Sequence, residues 1–422
     1  MRPLSTRVAR LGTETAFEIL ARARALEARG RSVVHLEIGE PDFDTPRSVA
    51  DAGVAAIREG ETHYAPPEGV PELRAAIARH VERTRGRSVD PAAVIVTPGA
   101  KPVMFYAMLA LLQDGDECIT PDPGFPIYAS MIEFAGGKAV RLPIREEHDF
   151  GIDPDELRAL VTPRTKLLVL NSPHNPTGGV LTDEQVDAIA QVAREHDLWV
   201  LSDEIYSEIV YSDVSMPRAE STRGSDSMPR AESARGQDLA NRSVWAEPEM
   251  SERTILLDGF SKTYAMTGWR LGYGIFPEPL RKPVAKLVIN SVSCTATFVQ
   301  RAGIAALSAR PAEVEAMLRE FRARRDRIVK GLNDIEGISC RAPHGAFYVF
   351  PNVRELGLAA TRCSDRLLEE AGVAALPGTA FGPRGEGHLR LSYATSLENI
   401  EEALARIARW VRTLRPVTAA PR

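Results

Sequence analysis

Cysteine is scarce in this 422-residue chain: Cys118, Cys294, Cys340 and Cys363 lie far apart, and no two form a C-x-x-C pair. That spacing excludes a disulfide framework, a zinc ribbon and a dithiol redox motif, and it fits buried thiols in a reducing compartment. Charge of one sign is lacking too. The 52 basic and 57 acidic side chains leave a formal charge of -5, so no broad field exists for gripping nucleic acid or anionic lipid. Any anion must be held locally. No apolar run approaches a membrane span, and the start MRPLSTRVAR lacks the apolar core of a secretory signal. These absences predict a cytoplasmic protein acting on small molecules, with no nucleic-acid or membrane partner and no metal site.

What is present is rhythm. The segments AVIVT, DECIT, KAVRLP, TKLLVLN, LWVLSD, RTILLD and RLGYGIF read as strands, and they alternate with amphipathic stretches such as RSVADAGVAAIREG and DEQVDAIAQVAREH. Alternation of this kind predicts an α/β fold with a mostly parallel sheet between helices. Near the start, TAFE from Thr15 reads as a capping box opening a helix through Phe17, Leu20, Ala23 and Leu26, and SVVHLEIG follows as a strand. After about Pro279 long helices and the short strands GAFYVFP and HLRLSYA predict a second, α+β domain. One tandem duplication breaks the pattern, since SMPRAESTRGSD at 215–226 recurs as SMPRAESARGQD at 227–238. So few apolar residues cannot support independent folding, and the repeat is expected to be an exposed, mobile loop.

Four motifs carry chemistry. In IVTPGAKPVMFYAML a strand meets a helix through a Gly-containing turn, with Pro102 suited to the first helical turn. Free N–H groups at such a helix start cradle phosphate, although an ordinary strand-to-helix turn explains the pattern equally. NSPHNPTGG at 171–179 places Asn175 in an irregular loop at a strand's carboxyl end, where ligands of open α/β sheets gather. Turn capping competes as the role of Asn171. LSDEIY brings Asp203 and Tyr206 to the same edge, where a carboxylate needs a cationic partner or caps a following turn. In GFSKTYAMTGWR, Ser261 suits an oxyanion, Arg270 a bidentate phosphate clamp and Lys262 a nucleophilic amine. Together they describe a site for a phosphorylated, aldehyde-bearing, protonatable ring.

In this order the motifs IGEPDFDTP, HYAPPEGVPELR, PGAK, NSPHNPTGG, SDEIY, SKTYAMTGWRLGY, GAFYVFP and RLSYAT strongly resemble the fold-type I, class I aminotransferases of the aspartate aminotransferase family, which use pyridoxal 5'-phosphate. The resemblance implies a large cofactor-binding domain over 46–290 and a small domain from both termini, 1–45 and 291–422. It makes Lys262 the Schiff-base lysine and Asp203 the partner of the pyridine nitrogen. Asn175 and Tyr206 would meet the phenolic oxygen and Phe125 would stack on the ring. Ala100, Lys101, Ser261, Arg270 and a neighbouring subunit's Tyr64 would hold the phosphate, which implies a homodimer. Arg390 would bind the substrate α-carboxylate beneath Gly39.

Two positions depart from common family patterns. Gly259 stands where a hydroxyl residue is often found, three places before the lysine. Phe125 stands where aspartate-specific relatives often carry tryptophan, which removes an indole N–H. Lys101 pulls towards acidic substrates, because a bacterial branch of the family uses a lysine there for the distal carboxylate. The expected activity is transfer of an amino group from an L-amino acid, aspartate favoured, to 2-oxoglutarate by a ping-pong mechanism. Aromatic or alanine-type specificity is the alternative, followed by a carbon-sulfur lyase of the same fold.

Overall fold

The computed structural model describes residues 4–211, 242–308 and 310–414. The duplicated segment 215–238 lies outside them, so the expectation for that loop is not addressed by the fold.

Among the described residues twelve strands form three sheets. The central one contains β2 (Val94–Thr97), β3 (Glu117–Asp122), β4 (Lys138–Pro143), β5 (Thr165–Asn171), β6 (Trp199–Asp203), β7 (Thr254–Gly259) and β8 (Gly272–Ile275), in the order β2-β8-β7-β6-β5-β3-β4. These are the seven segments anticipated from the sequence. Pairings among β3 to β7 are parallel, and β8 runs antiparallel to both neighbours. Every residue of β2, β3, β7 and β8 is buried, as expected for strands covered by helices on both faces. The chain is therefore an α/β protein with a mixed, mostly parallel sheet.

Shorter sheets flank it. β1 (Val34–His35) pairs in parallel with β10 (Val373–Ala374), while β9 (Tyr348–Val349) and β11 (Leu376–Pro377) border β12 (Leu389–Ser392). Of the predicted strand SVVHLEIG, Val34 and His35 form β1, Leu36 still bonds Ala374 and Ser392 through its backbone, and Gly39 reaches the lysine described below. The predicted helices run over α1 (Thr15–Glu27), α2 (Arg47–Arg58), α4 (Lys101–Leu111), Asp183–Glu195 and Ala312–Asn333, and α3 (Pro71–Arg85), which was not anticipated, joins them.

The start of α1 differs from expectation in a useful way. Its N-cap residue is Glu14, not Thr15, and no side chain caps it. Ile19 and Ala23 form its buried face, whereas Phe17 is exposed. A tertiary contact of Glu14 displaces the local cap, as shown below.

One buried ion cluster fixes the sheet edge that carries the chemistry. Arg85, the last residue of α3, donates to Glu204 Oε2 at 2.7 Å and to Asp258 Oδ2 at 3.0 Å, and all three side chains are at most 5% exposed. Glu204 also accepts from Ser202 at 2.9 Å and from Ser243. The cluster thus ties α3 to the carboxyl ends of β6 and β7. Burial pushes the Asp258 carboxyl up to about 7 although Arg85 opposes this. Removing one member of a buried ion cluster strands the others. Arg85→Met should therefore lower unfolding stability by about 3–5 kcal/mol in chemical denaturation; a loss under about 1 kcal/mol would show that the cluster is not a clamp.

Candidate active site

A cavity of about 430 Å³ opens at the carboxyl edge of the central sheet, lined by residues from all four sequence motifs. Of the predicted site residues, Gly39, Ala100, Lys101, Phe125, Asn175, Asp203, Tyr206, Ser261, Lys262, Arg270 and Arg390 all line it. Tyr64 does not. It is 90% exposed, outside the cavity of its own chain.

Lys262 follows β7 by three residues and donates from Nζ to the Gly39 carbonyl oxygen at 2.6 Å. Burial pushes its amine down to about 8, and the cationic Arg390, Arg270 and Lys101 add to this while Glu40 opposes it. A lysine so shifted is a usable nucleophile and base near neutrality. Gly39 must be glycine, because a Cβ there would run into the Tyr348 hydroxyl.

Asp203 ends β6. Its Oδ2 accepts from the Tyr128 hydroxyl at 2.5 Å and its Oδ1 from the Ile205 N–H at 3.2 Å. The second bond is the turn-capping role weighed from the sequence; the first belongs to the cavity. Burial raises the carboxyl to about 6, against the pull of those two bonds and of Lys262. Asn171 braces the backbone: its Nδ2 donates to the Asp203 carbonyl at 3.1 Å and its Oδ1 accepts from the Asn175 N–H at 2.8 Å. Tyr206 shares a 2.7 Å hydrogen bond with Tyr348.

Arg390, on β12, is buried. One terminal nitrogen donates to Asn175 Oδ1 at 3.3 Å and the other to the Glu37 carbonyl, but its buried Nε has no partner. Its guanidinium lies 4.5 Å from the Tyr348 ring centre. Among the described residues no carboxylate forms a salt bridge with it. A buried guanidinium with an orphaned donor is a receptor for a carboxylate.

At the opposite side, Gly99 has φ 89°, and a Cβ there would strike the Arg270 guanidinium. The glycine lets Arg270 approach the start of α4, at Ala100 and Lys101, whose first N–H groups have no intrahelical acceptor. A guanidinium, a helix N-terminus and the Ser261 hydroxyl gathered on one cavity wall suit a phosphate, which neutralises both positive features. The donor set therefore fits pyridoxal phosphate.

The Gly259 departure has a packing cause. Gly259 pairs with Gly272 between β7 and β8, and a Cβ at 259 would approach the Gly272 Cα to 3.1 Å and the Leu271 oxygen to 3.2 Å. Sequence reasoning missed Tyr128, Tyr348 and Glu14 as cavity residues. Tyr128 stands three residues after Phe125 and Tyr348 in the quoted segment GAFYVFP, but their partners are 75 and 142 positions distant.

The shifted amine gives a pH dependence. Because its folded value near 8 lies below the ordinary 10.5, Lys262 in cofactor-free protein is protonated below pH 8 and neutral above it. Competitive acylation followed by peptide mapping should show Lys262 labelling rise with a midpoint near pH 8, while exposed lysines rise near 10.5; a common midpoint would refute the burial argument.

Comparison with known proteins agrees with this geometry. The chain is 40% identical over 410 residues to an aspartate aminotransferase of Musicola paradisiaca, covering 97% of this chain and 96% of that protein. It is 39% identical over 378 residues to aromatic-amino-acid aminotransferase 2 of Thermococcus litoralis, covering 89% and 90%. The solved structure of Thermus thermophilus aspartate aminotransferase with maleate superposes with a TM-score of 0.87 at 39% identity, over 97% of this chain and all of that one. A family model, aminotransferase class I and II, matches residues 31–407, and the chain belongs to that family of pyridoxal-phosphate-dependent transaminases.

Proposed function

We propose that the chain transfers the amino group of an L-amino acid, aspartate favoured, to 2-oxoglutarate in two half-reactions at one cavity. The carrying observation is the shared cavity of Lys262, Asp203 and the carboxylate-seeking Arg390, with Lys101 also on its wall. In this reading Ala100, Lys101, Ser261 and Arg270 hold the cofactor phosphate. Phe125 would cover the ring face, Asp203 would face the ring nitrogen, and Asn175 with Tyr206 would face the phenolic oxygen. When bound, the cofactor supplies an electrophilic carbon for the amino group and a ring that withdraws electrons from it.

The protein's own residues do the rest. Arg390 orients the substrate through its α-carboxylate, and its burial makes that contact strong. The Lys262 amine would hold the cofactor at rest and, when free, move the proton at substrate Cα; its low pKa lets it accept and return that proton near neutral pH. Asp203 would keep the ring nitrogen protonated, and that cation would oppose the burial that raises its carboxyl to about 6. Lys101 pairs with the distal carboxylate of an acidic substrate. Tyr64, wholly outside the cavity here, would reach the phosphate of a second copy, and the exposed Val54 and Ile57 of α2 suit such a homodimer interface. The division into a large domain over 46–290 and a small one from both ends forms part of the same reading.

A second donor class has an observation in its favour. Phe17, Met104 and Phe125 line the cavity beside Lys101, and apolar walls suit an aromatic side chain.

Initial rates with aspartate and 2-oxoglutarate should give parallel double-reciprocal lines, and Lys101→Ala should lower kcat/KM for aspartate about tenfold while phenylalanine changes by less than about threefold. Intersecting lines, or a Lys101→Ala enzyme that keeps its aspartate activity, would refute the reading, as would pyruvate and ammonia released from cystathionine without amino transfer.

A further inference from the structure

Lys101 is not free in the cavity. Its Nζ pairs with the Glu14 carboxylate, contributed by the residue that precedes α1. Both residues line the cavity with Phe125, Tyr348 and Arg390. Lys101 Nζ also lies 5.5 Å from the Phe125 ring centre. Glu14 is thus a carboxylate of the protein standing where a substrate's distal carboxylate would go.

Stability does not explain it. The Lys101 side chain is 49% exposed and that of Glu14 19%, and pairs of that kind contribute little to folding. Glu14 holds the N-cap position of α1, yet its side chain makes no hydrogen bond to that helix and reaches Lys101 instead. Its negative charge is felt by Arg390 and by Tyr348 as well, so the carboxylate faces the interior of the site.

A ping-pong enzyme imposes a demand that such a residue answers. Donor and acceptor occupy one cavity in turn, and only some of them carry a distal carboxylate. With an uncharged side chain present no substrate carboxylate meets the Lys101 ammonium, and a carboxylate of the protein balances its charge beside Phe17, Met104 and Phe125. With an acidic one present, a fixed carboxylate at Lys101 would repel it.

We propose that Glu14 is a specificity-determining residue, an internal counter-ion that pairs Lys101 when the substrate side chain is uncharged and gives way to the distal carboxylate of an acidic substrate. This rests on the assignment of the cavity in the preceding subsection. It adds that the same site serves both substrate classes, and that Glu14 sets the balance between them. A partly exposed ion pair is the kind that a substrate can exchange, because little is lost when it opens.

The test is Glu14→Gln in the full chain loaded with pyridoxal phosphate, with Glu18→Gln on the exposed side of α1 as a control for charge alone. Single-turnover half-reactions give kcat/KM for aspartate and for phenylalanine, and calorimetric titration gives Kd for maleate, which binds without reacting. In Glu14→Gln the aspartate-to-phenylalanine ratio should rise about fivefold and Kd for maleate should fall about fivefold, with Glu18→Gln matching wild type. Changes below about 1.5-fold in both quantities, or movement in the opposite direction, would overturn the proposal. So would an equal effect of Glu18→Gln. If wild type transferred no amino group from any donor, the functional assignment would fall, while the maleate titration would still decide the role of Glu14.

Discussion

Desolvation of two opposite charges at neighbouring strand ends is the constraint on which this structure turns. Asp203 closes β6 and Lys262 follows β7, and burial shifts each towards its neutral form, the carboxyl up to about 6 and the amine down to about 8. They do not neutralise each other by direct contact: Asp203 takes hydrogen bonds from Tyr128 and Ile205, and Lys262 gives one to Gly39. Two such groups are costly to hold apart in one cavity. The surroundings that hold them there, from the Arg85 cluster behind to the Asn171 brace beside, are built for a partner that needs both.

Much of this was legible in the chain. All seven central strands could be read because continuous apolar, β-branched runs have few other destinies than a covered parallel sheet. Asn175, Asp203 and Lys262 followed from them, since a polar motif directly after such a strand emerges at its carboxyl end; Gly39, Tyr64, Phe125 and Arg390 came only from the family resemblance. Reading failed where tertiary contacts overrode local chemistry. Thr15 has the residue type of a helix cap, yet Glu14 holds that place with its carboxylate on Lys101. Phe17 fits a helical apolar stripe, yet it faces the cavity mouth. Arg85 carries no motif at all; only the fold brings it to Glu204 and Asp258, 119 and 173 positions away.

The relatives show how a conserved catalytic core leaves specificity open. Proteins named for aspartate and for aromatic amino acids resemble this chain almost equally, at 40% and 39% identity. Fold and cofactor residues cannot separate them. In the proposed reading the difference comes from the side chains that would meet the substrate beyond Cα, Lys101 with its carboxylate partner and the apolar walls of Phe17, Met104 and Phe125.

The account as a whole requires that one amine, and no other, carries the cofactor. Borohydride reduction of the pyridoxal-phosphate-loaded protein, followed by proteolysis and mass spectrometry, tests this most directly. It should find one equivalent of reduced pyridoxyl phosphate per chain on the peptide containing Lys262, and none in Lys262→Ala. Label on Lys101 or another lysine, or no label in fully loaded protein, would contradict it.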